Sequence, residues 1–444
     1  MTVHSFVFSG TSYYLWFLAC LLIGNYCPYF LPSAASQLNS MPDINDKNLS
    51  VEKIAEGIKY PTSMAFVGPN DILVLEKNEG TVRRILNGTM LQEPLLDVNV
   101  ANISERGMLG IAIANSNEKQ VKYVFLYYVE SESEDAEDYS KGKSPVGNRL
   151  YRYELVDNKL VNPKLLLDLP SVPGGRHNGG VVLVGQDDLL YVVVGDIAKV
   201  TKGSRTQAQN FKDGPEPDGS SGVLRISQDG LPAQSNILGS KYPLNIYYAY
   251  GIRNSFGMDF DPVSGDLWDT ENGRDHSDEI NRIEAGFNSG WEYVQGMWDM
   301  WNETRRPKKV PLSHDELVDF NGRGVYSDPE FVWQYPTVAP TALKFLNSSG
   351  LGPAYENDLF VGSWNTGYVY HFDLSKDRTN LALNGSLADR VANTPEEIDT
   401  NTLFGQGFGP VVDIEVGPDG YLYVLSYNSL IEGTIFRIAP STVN

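Results

Sequence analysis

The sequence predicts an all-β protein built as a six-bladed β-propeller, and three observations lead to that prediction. After about Ser40 the apolar residues show no strong helical periodicity. Short β-rich runs recur instead, each followed by a Gly, Asp or Asn turn and another apolar run. The cores of these units resemble one another, as in MAFVGPNDILVL, VVLVGQDDLLYVVVGD, MDFDPVSGDLWDT and IEVGPDGYLYVLS. We therefore expect four-stranded antiparallel blades with long rim loops.

Six copies of the strand–turn–strand unit can be placed along the chain. One unit cannot bury both faces of its own sheet, whereas radial packing against its neighbours buries both. A large sandwich or two separate β-domains would also hold many strands, but the recurring turn motif favours the propeller. The copies are Thr62–Leu86, Gly107–Leu155, His177–Ile226, Ser255–Ile283, Thr341–Leu374 and Val411–Ile438.

Composition narrows the class of protein. The chain has 444 residues, of which 41% are hydrophobic and 20% charged, so it is long enough to bury a large core. The formal net charge of -21 gives a surface that repels phosphate backbones, and no nucleic-acid partner is expected. Most of these charges are expected to form a solvated acidic surface, which favours solubility and cation binding.

The N-terminal segment 1–36 is interpreted as a signal peptide or a retained membrane anchor. The run from Tyr13 to Leu31 is almost entirely apolar, and Ser33–Ala35 offers small residues for cleavage near Ala35. The first residues lack Lys and Arg, and the apolar run is long enough to span a bilayer. A retained membrane anchor therefore remains the alternative to a cleaved signal peptide. In both cases we expect the rest of the chain to be extracellular or on the cell surface.

Residues 37–50 are interpreted as a linker and residues 51–441 as the propeller. The chain has two cysteines, Cys20 and Cys27, both inside the apolar segment, so a cleaved protein would hold no thiol for a disulfide or a metal. Sites for N-glycosylation give weak support to export. These sequons begin at Asn48, Asn87, Asn102, Asn302, Asn347 and Asn384.

Two motifs carry candidate catalytic groups. His177 lies within the glycine-rich run 174–180, where the backbone can approach a ligand closely, and histidine is the natural base near neutral pH. The alternative is a turn with an incidental histidine. Arg253 and Asn254 follow AYG, and the arginine could hold a carboxylate through two hydrogen bonds. An ion pair between blades is the alternative for Arg253.

Two further motifs carry candidate ligand-binding groups. The run from Glu271 to Glu279 is a short oxygen-rich loop after a strand, and Ca²⁺ prefers several carboxylate and carbonyl oxygens. It lacks the EF-hand spacing, and an acidic loop in an acidic protein is the alternative. The segment from Tyr335 to Pro340 combines two prolines with flanking aromatic rings that could stack on a ligand, or could instead belong to the core.

The order of these motifs resembles the soluble quinoprotein glucose dehydrogenase family, the glucose/sorbosone dehydrogenases. The resemblance rests on ERGMLG, RHNGG, GIRNSFGMDFDP, TENG, SDEINRI, GFNSGW, YPTVAPTALKF and VGPDGYLYVLS, and it covers roughly Val51 to Ala439. It implies a six-bladed propeller that binds pyrroloquinoline quinone (PQQ) and Ca²⁺ on its axis. It also implies oxidation of the C1 hydroxyl of an aldose to the lactone.

The resemblance implies a role for each matched residue. His177 would be the catalytic base, and Arg253 would stand beside the quinone oxygens as the second catalytic group. The residues implied to contact the cofactor are Glu105, Arg176, Asn254, Tyr335 and Thr337. The residues implied to hold or brace Ca²⁺, the first three through their loop and its carbonyls, are Asn272, Gly273, Arg274, Asp278 and Glu279.

The sequence also departs from the family's pattern. Members carry a lysine in the turn that corresponds to Ser363–Gly367, and two arginines just before the aspartate that corresponds to Asp413; this chain has neither. The residue before the base is usually acidic and here is Arg176, and a family glutamine is Glu105 here. Losing three cations and gaining a carboxylate should weaken the binding of a quinone with three carboxylates.

Three hypotheses follow. The leading one is an exported dehydrogenase for a sugar or related alcohol, with Ca²⁺, PQQ and an external electron acceptor; no G-x-G-x-x-G fingerprint for a nucleotide competes with it. The second is a propeller without cofactor that binds extracellular glycans or protein partners, as the missing cations suggest. The third is a Ca²⁺-dependent lactonase, which would turn over lactones without an electron acceptor.

Overall fold

The structure is a computed structural model that describes residues 41–116, 120–132, 145–171, 175–197, 209–210, 214–235, 237–298 and 313–441. The segment 1–36, interpreted above as a signal peptide or anchor, lies outside these ranges. Within them, no helix combines the length and apolar character needed to cross a bilayer.

The described chain consists almost entirely of strands. They are β1 (Asp43–Ile44), β2 (Leu49–Lys59), β3 (Pro61–Gly68), β4 (Asp71–Glu76), β5 (Thr81–Leu86), β6 (Thr89–Met90), β7 (Leu96–Asp97), β8 (Met108–Asn115), β9 (Lys122–Glu130), β10 (Gly147–Val156), β11 (Lys159–Leu169), β12 (Val182–Val184), β13 (Leu189–Val194), β14 (Gly222–Ser227), β15 (Tyr247–Tyr250), β16 (Ser255–Phe260), β17 (Leu267–Glu271), β18 (Asp278–Ile283), β19 (Phe287–Asn288), β20 (Val325–Tyr326), β21 (Phe331–Trp333), β22 (Pro340–Phe345), β23 (Leu359–Ser363), β24 (Val369–Phe372), β25 (Val391–Ala392), β26 (Leu403–Gln406), β27 (Val411–Val416), β28 (Leu422–Tyr427) and β29 (Glu432–Pro440).

Helical structure in the described ranges is short. The α-helix α1 spans Pro395–Asn401, with Pro395 in its first turn and the Thr394 hydroxyl accepting a hydrogen bond from the Glu397 N–H as an N-cap. Single 3₁₀ turns occur at Leu244–Ile246, His314–Glu316 and Gly385–Leu387.

The strands form six sheets, numbered here in chain order. Sheet 1 holds β3–β7; sheet 2 holds β8–β11; sheet 3 holds β12–β15, β19 and β20; sheet 4 holds β16–β18, β21 and β25; sheet 5 holds β22–β24, β26 and β1; sheet 6 holds β27–β29 and β2. Each sequence repeat supplies the first three strands of one sheet.

Contacts between neighbouring sheets return to their starting point. Strand β3 contacts β8, β8 contacts β12, β13 contacts β16, β16 contacts β22, β22 contacts β27, and β27 contacts β3. Sheet 6 joins the two ends of the described chain, because β2 pairs with β29 in antiparallel register from Leu49↔Pro440 to Lys59↔Glu432. The sheets therefore close into a ring.

The core lies between successive sheets rather than in one central layer. In β4 every residue is buried, and its side chains alternate between two apolar clusters. Leu73 and Leu75 pack with residues of sheet 2, whereas Ile72 and Val74 pack with residues of sheet 6. Burial on both faces explains why the inner strands read as nearly continuous apolar runs.

The predicted all-β propeller arrangement is confirmed. The prediction of uniform four-stranded antiparallel blades is wrong in detail, because among the described sheets only sheets 2 and 6 have four strands. Short strands from the connecting segments extend the others, and β15–β19, β19–β20 and β21–β25 pair in parallel. Asp43–Ile44, within the predicted linker, forms β1 and pairs with β26.

Candidate active site

His177 is the centre of the candidate site. It lies in the loop before β12, is 7% exposed, and has a φ of 59°, a left-handed conformation that is uncommon outside glycine. Its Nδ1 atom lies 2.5 Å from Oδ1 of the fully buried Asp196. Because an ionised carboxylate only accepts hydrogen bonds, Nδ1 carries the ring proton and Nε2 keeps a free lone pair. The ring is therefore oriented as a base.

Asp196 is held on its other side by a tryptophan. The Nε1–H group of Trp291 donates to Oδ2 of Asp196 at 2.7 Å, and the Asp196 N–H donates to the carbonyl of Arg253 at 2.9 Å. Sequence reasoning missed both Asp196 and Trp291. The aspartate directly follows the apolar run LLYVVVG at the end of β13, and that position is the one local signal that could have indicated it.

Gly195 allows the backbones of two site segments to meet. A Cβ atom on Gly195 would lie 2.5 Å from the carbonyl oxygen of His177 and 2.7 Å from that of Arg253. Any larger residue would push these carbonyls apart. The packing of the chain around this glycine thus sets the spacing of the predicted base and the predicted arginine.

Glu105 connects three neighbouring sheets. Its Oε2 atom accepts the backbone N–H of His177 at 2.7 Å and the side-chain amide of Asn254 at 3.2 Å. These residues precede the first strands of sheets 2, 3 and 4 respectively. The Nζ group of Lys77 donates to the carbonyls of Ser104 and Arg106, at 3.1 and 2.9 Å, and so braces the loop that carries Glu105.

Lys77 brings a cation close to this carboxylate. Burial lowers the pKa of Lys77 to about 8, and the negative charge of Glu105 opposes that shift. Sequence reasoning did not single out Lys77, because one lysine after a buried strand has no local feature that marks it.

Arg253 is fixed from three directions. Its backbone N–H donates to Oε1 of Glu271 at 2.6 Å, its Nη1 donates to the carbonyl of Asn272 at 2.7 Å, and its guanidinium lies 5.4 Å from the ring centre of Trp291. The second oxygen of Glu271 accepts from the Ser289 hydroxyl at 2.7 Å. Arg253, which the resemblance places beside the quinone oxygens, is therefore in contact with the loop predicted to hold Ca²⁺.

The loop after β17 is closed by Asp278. Its Oδ1 accepts the N–H of Gly273 at 2.9 Å and its Oδ2 accepts the N–H of Ala339 at 2.7 Å, so one carboxylate joins this loop to the segment before β22. Burial raises the pKa of Asp278 to about 6 although these hydrogen bonds lower it. A Cβ on Gly273 would lie 2.0 Å from the carbonyl oxygen of His276, so the turn requires glycine.

Glu279 points away from Asp278, as alternation along β18 requires. Its Oε1 accepts the Gly296 N–H at 2.5 Å, and it faces Glu271 across the sheet. Asp269 lies two residues before Glu271, with Oδ2 buried and unpaired among the described atoms. Burial raises the pKa of Asp269 to about 8 and that of Glu279 well above its usual value, and the negative charge of Glu271 adds to both shifts. Burial also raises the pKa of Glu271 to about 7.

Four further predicted residues are half-buried or exposed. The Tyr335 side chain is 68% exposed. Arg274 is also exposed, its backbone N–H donates to Gln295 at 3.0 Å, and its guanidinium lies 3.7 Å from Asp275. Arg176 is half-buried beside His177 in the chain. Thr337 is half-buried too, and its carbonyl accepts the Asn365 amide at 3.0 Å.

The segments where the family carries its extra cations lie against each other. A Cβ on Gly367 would lie 3.0 Å from the carbonyl oxygen of Gly409. The Trp364 ring packs edge-to-face against Tyr427, with centroids 5.3 Å apart. Asp413 instead accepts hydrogen bonds from Ser63 and from the Met64 N–H, at 3.0 and 2.7 Å, and so joins sheets 6 and 1. The wall formed by residues 363–367 and 409–412 therefore has no charged side chain and carries one aromatic ring, that of Trp364.

Several polar atoms in the network have no protein partner among the described residues. These buried atoms are Arg253 Nε, Asn254 Oδ1, Asn272 Oδ1 and both amide atoms of Asn178. Buried polar groups normally find a partner, so a cluster of unpaired ones indicates a polar ligand or ordered water. The unpaired atoms lie on the residues around His177 and Arg253.

Together the ring of sheets and the buried His177–Asp196 pair define a propeller with an oriented base on its loops. The chain belongs to the glucose/sorbosone dehydrogenase family, a family of sugar-oxidising oxidoreductases, because that family's model matches residues 58–436. An aldose sugar dehydrogenase of Escherichia coli is 25% identical over 395 residues, covering 88% of this chain and 93% of that protein.

Two further similarities are to a quinoprotein and to a protein with PQQ bound. Quinoprotein glucose dehydrogenase B of Acinetobacter calcoaceticus is 27% identical over 268 residues, covering 57% of this chain and 54% of that protein. The PQQ-bound aldose sugar dehydrogenase of Streptomyces coelicolor has a TM-score of 0.59 at 20% identity, covering 90% of this chain and 100% of that one. The second similarity concerns the fold alone.

Proposed function

We propose that this protein is an exported, six-bladed propeller dehydrogenase that oxidises the C1 hydroxyl of an aldose or a related alcohol. The observation that supports it best is the His177–Asp196–Trp291 chain, with 2.5 and 2.7 Å between successive polar atoms. Oxidising an alcohol requires removal of a hydroxyl proton as hydride leaves the carbon, and His177 presents its free Nε2 for that task. Each of the six sheets would be one blade.

In this proposal Asp196 has two roles. It keeps the His177 proton on Nδ1, and its negative charge stabilises the imidazolium that forms once Nε2 has accepted the substrate proton. Trp291 prevents the carboxylate from rotating away. Glu105 holds the backbone of His177 at 2.7 Å, so the base keeps its position while it changes charge.

PQQ, when bound, supplies the hydride acceptor. The unpaired Nε–H of Arg253 is the donor of this chain that would face a quinone oxygen, whereas the unpaired Oδ1 atoms of Asn254 and Asn272 only accept and would face a hydroxyl of the substrate or the cation. The carbonyls of Gly273 and Arg274, in the turn closed by Asp278, would hold the Ca²⁺. The buried carboxyl groups of Asp269, Glu271 and Glu279 have pKa values raised by burial, and a divalent cation nearby would favour their ionised forms.

The uncharged wall supports a second candidate, a propeller that binds an extracellular glycan without a cofactor. Sugars stack on aromatic rings, and the half-buried Trp364 lies in the turn where the resemblance places the family's lysine. Without those cations the carboxylates of PQQ have fewer charged partners. We therefore expect this chain to bind PQQ more weakly than relatives that carry the lysine and two arginines.

Reconstitution tests the two candidates. Purified protein is mixed with PQQ and Ca²⁺, and reduction of an electron-accepting dye is followed on addition of aldoses. The dehydrogenase gives sugar-dependent reduction, and His177→Ala lowers it about 10²–10⁴-fold while PQQ and Ca²⁺ binding persists. An absorbance spectrum unchanged by PQQ and no dye reduction with any aldose would favour the glycan binder.

Export is tested separately. The apolar segment 1–36 and the sequons support a location outside the cell or on its surface. Cell fractionation of the full chain, with N-terminal sequencing of the mature protein, distinguishes a cleaved signal peptide from an anchor. Recovery of the uncleaved protein in the cytoplasm would contradict the proposal.

A further inference from the structure

We propose that Asp358, His371 and Asp373 form a binding site for a divalent transition-metal cation of the Zn²⁺ type, separate from the candidate active site. The Nε2 atom of His371 lies 3.1 Å from Oδ2 of Asp358 and 3.5 Å from Oδ1 of Asp373. One ligand atom from each of the three side chains lies within 4.8 Å of the others.

The group lies at the opposite end of sheet 5 from the candidate active site. Strand β23 pairs with β22 from Leu359↔Phe345 to Ser363↔Pro340. The Ser363 end belongs to the candidate active site, because its hydroxyl donates to Val338 beside the loop that Asp278 holds. Asp358 directly precedes Leu359, the other end of β23. At about 3.3 Å per residue, Leu359 is roughly 13 Å from Ser363.

The pairing of β23 with β24 places the three side chains on one face. Phe360 pairs with His371 and Leu359 with Phe372, so continuing this register puts Asp358 opposite Asp373. Side chains alternate along each strand, and both carboxylates therefore point to the same side as His371. Like charges directly opposite one another destabilise a sheet.

The protein itself offers little to neutralise these carboxylates. Within the described ranges, His371 is the one basic side chain paired with either of them. One imidazole can carry at most one positive charge, so His371 alone does not balance two carboxylates. A divalent cation between the three ligand atoms would offset both negative charges.

The ligands are held in place and remain accessible. The His371 ring packs against Tyr355 at 5.1 Å and Phe360 at 5.0 Å between centroids, which fixes its orientation. The Tyr355 hydroxyl is itself anchored, because it donates to Asp46 at 3.0 Å. The side chain of Asp373 is 66% exposed, so a cation can enter from solvent and keep a water ligand in the remaining position.

The ligand set selects the kind of cation. One imidazole nitrogen and two carboxylate oxygens suit Zn²⁺, whereas Ca²⁺ requires six to eight oxygens. Tetrahedral bonds of about 2.0–2.1 Å place neighbouring ligand atoms about 3.3 Å apart, and the two His371 distances of 3.1 and 3.5 Å are close to that value. The site therefore differs in chemistry from the loop proposed above for Ca²⁺.

Metal titration of the chelator-treated full chain tests the inference. We expect one equivalent of Zn²⁺ to bind by calorimetry, and Co²⁺ in its place to give visible ligand-field absorption. Asp373→Asn and His371→Asn should each weaken Zn²⁺ binding by at least about tenfold. Glu356→Gln, which removes an exposed carboxylate two residues before Asp358, and His314→Asn, which removes an exposed imidazole, are the matched controls and should bind as the unmodified chain does.

Several results would overturn the inference: no stoichiometric Zn²⁺ binding to folded protein, equal binding by Asp373→Asn, or displacement of Zn²⁺ by a moderate excess of Ca²⁺. Should His371→Asn fail to fold, the Asp373→Asn variant still tests the inference, because that side chain is exposed. Sugar-dependent dye reduction is a separate measurement. A negative Zn²⁺ titration therefore does not contradict the proposed dehydrogenase, and absence of dye reduction does not contradict this metal site.

Discussion

The His177 ring and the Asp196 carboxylate are 19 residues apart in the chain, yet Nδ1 and Oδ1 lie 2.5 Å apart. Strand β13 brings them together, because it begins after the turn that follows β12 and returns the chain to the loop that carries His177. The contact is also buried, which makes the imidazole–carboxylate interaction stronger than it would be in water.

Replacing Asp196 by Asn should impair sugar oxidation more than folding. The asparagine can accept from the His177 ring or donate to it, so the proton is no longer held on Nδ1, and the imidazolium loses its stabilising charge. We expect kcat to fall by about 10²-fold or more, measured by dye reduction with saturating sugar. A fall of less than tenfold in a variant with unchanged circular dichroism would mean that Asp196 does not support the base.

Replacing Gly195 by Ala should disturb the same contact through the backbone. The new Cβ would lie within 2.7 Å of the carbonyls of both His177 and Arg253, so one of them must move. We expect a loss of about 1–3 kcal/mol in the free energy of unfolding and a fall in kcat. The matched control is Gly68→Ala, since a Cβ on Gly68 meets nothing within 4 Å; equal effects of the two substitutions on urea unfolding would refute the steric argument.

Replacing Asp278 by Asn should loosen the loop proposed to bind Ca²⁺. The carboxylate accepts N–H groups of Gly273 and Ala339, and an asparagine side chain has one oxygen to offer them. Leaving a buried N–H unpaired costs about 1–3 kcal/mol, so thermal unfolding should begin earlier and Ca²⁺ affinity should fall. Asp157→Asn, at an exposed position outside this loop, is the control and should change neither.

Asp269 should make stability depend on pH in the absence of Ca²⁺. Burial raises the pKa of Asp269 to about 8, so the folded protein binds this proton more tightly than the unfolded chain does. The associated stability is fully present below pH 4 and is lost as the pH rises through about 8. Asp269→Asn should therefore flatten the decline in unfolding free energy between pH 5 and pH 8, by more than the roughly 1.4 kcal/mol that one pKa unit represents.

Urea unfolding at several pH values in a chelator measures this slope. Asp157→Asn, at an exposed position, serves as the control and should follow the unmodified chain. If the slope for Asp269→Asn matches that of the unmodified chain, burial does not raise the pKa of this carboxyl group.

The sequence predicts most of the fold because the repeats are encoded locally. Each repeat contains the turn and the apolar alternation that define three consecutive strands, as in β3, β4 and β5 within Thr62–Leu86. The two-residue strands β1, β19, β20 and β25 could not be predicted in this way. They form where a connecting segment passes the edge of a sheet, and that depends on tertiary position rather than on local sequence.

The candidate site is only partly encoded in local motifs. His177, Arg253 and the loop from 271 to 279 are recognisable because glycines surround their polar groups. Asp196 and Lys77 are single polar residues at the ends of buried strands, and their roles depend on neighbours from other sheets. The opposite directions of Asp278 and Glu279, by contrast, follow from the two-residue period of a strand and could have been predicted.

The pairing of β2 with β29 has a consequence for synthesis of the chain on the ribosome. The strand that completes sheet 6, Glu432–Pro440, follows its partner β2 by most of the described chain, so it leaves the ribosome long after β2 does. Until it emerges, the nascent chain exposes unpaired edges on β2 and β28, which are templates for association with other chains. Truncation before residue 432 would make that transient exposure permanent, and such a product should aggregate or be degraded.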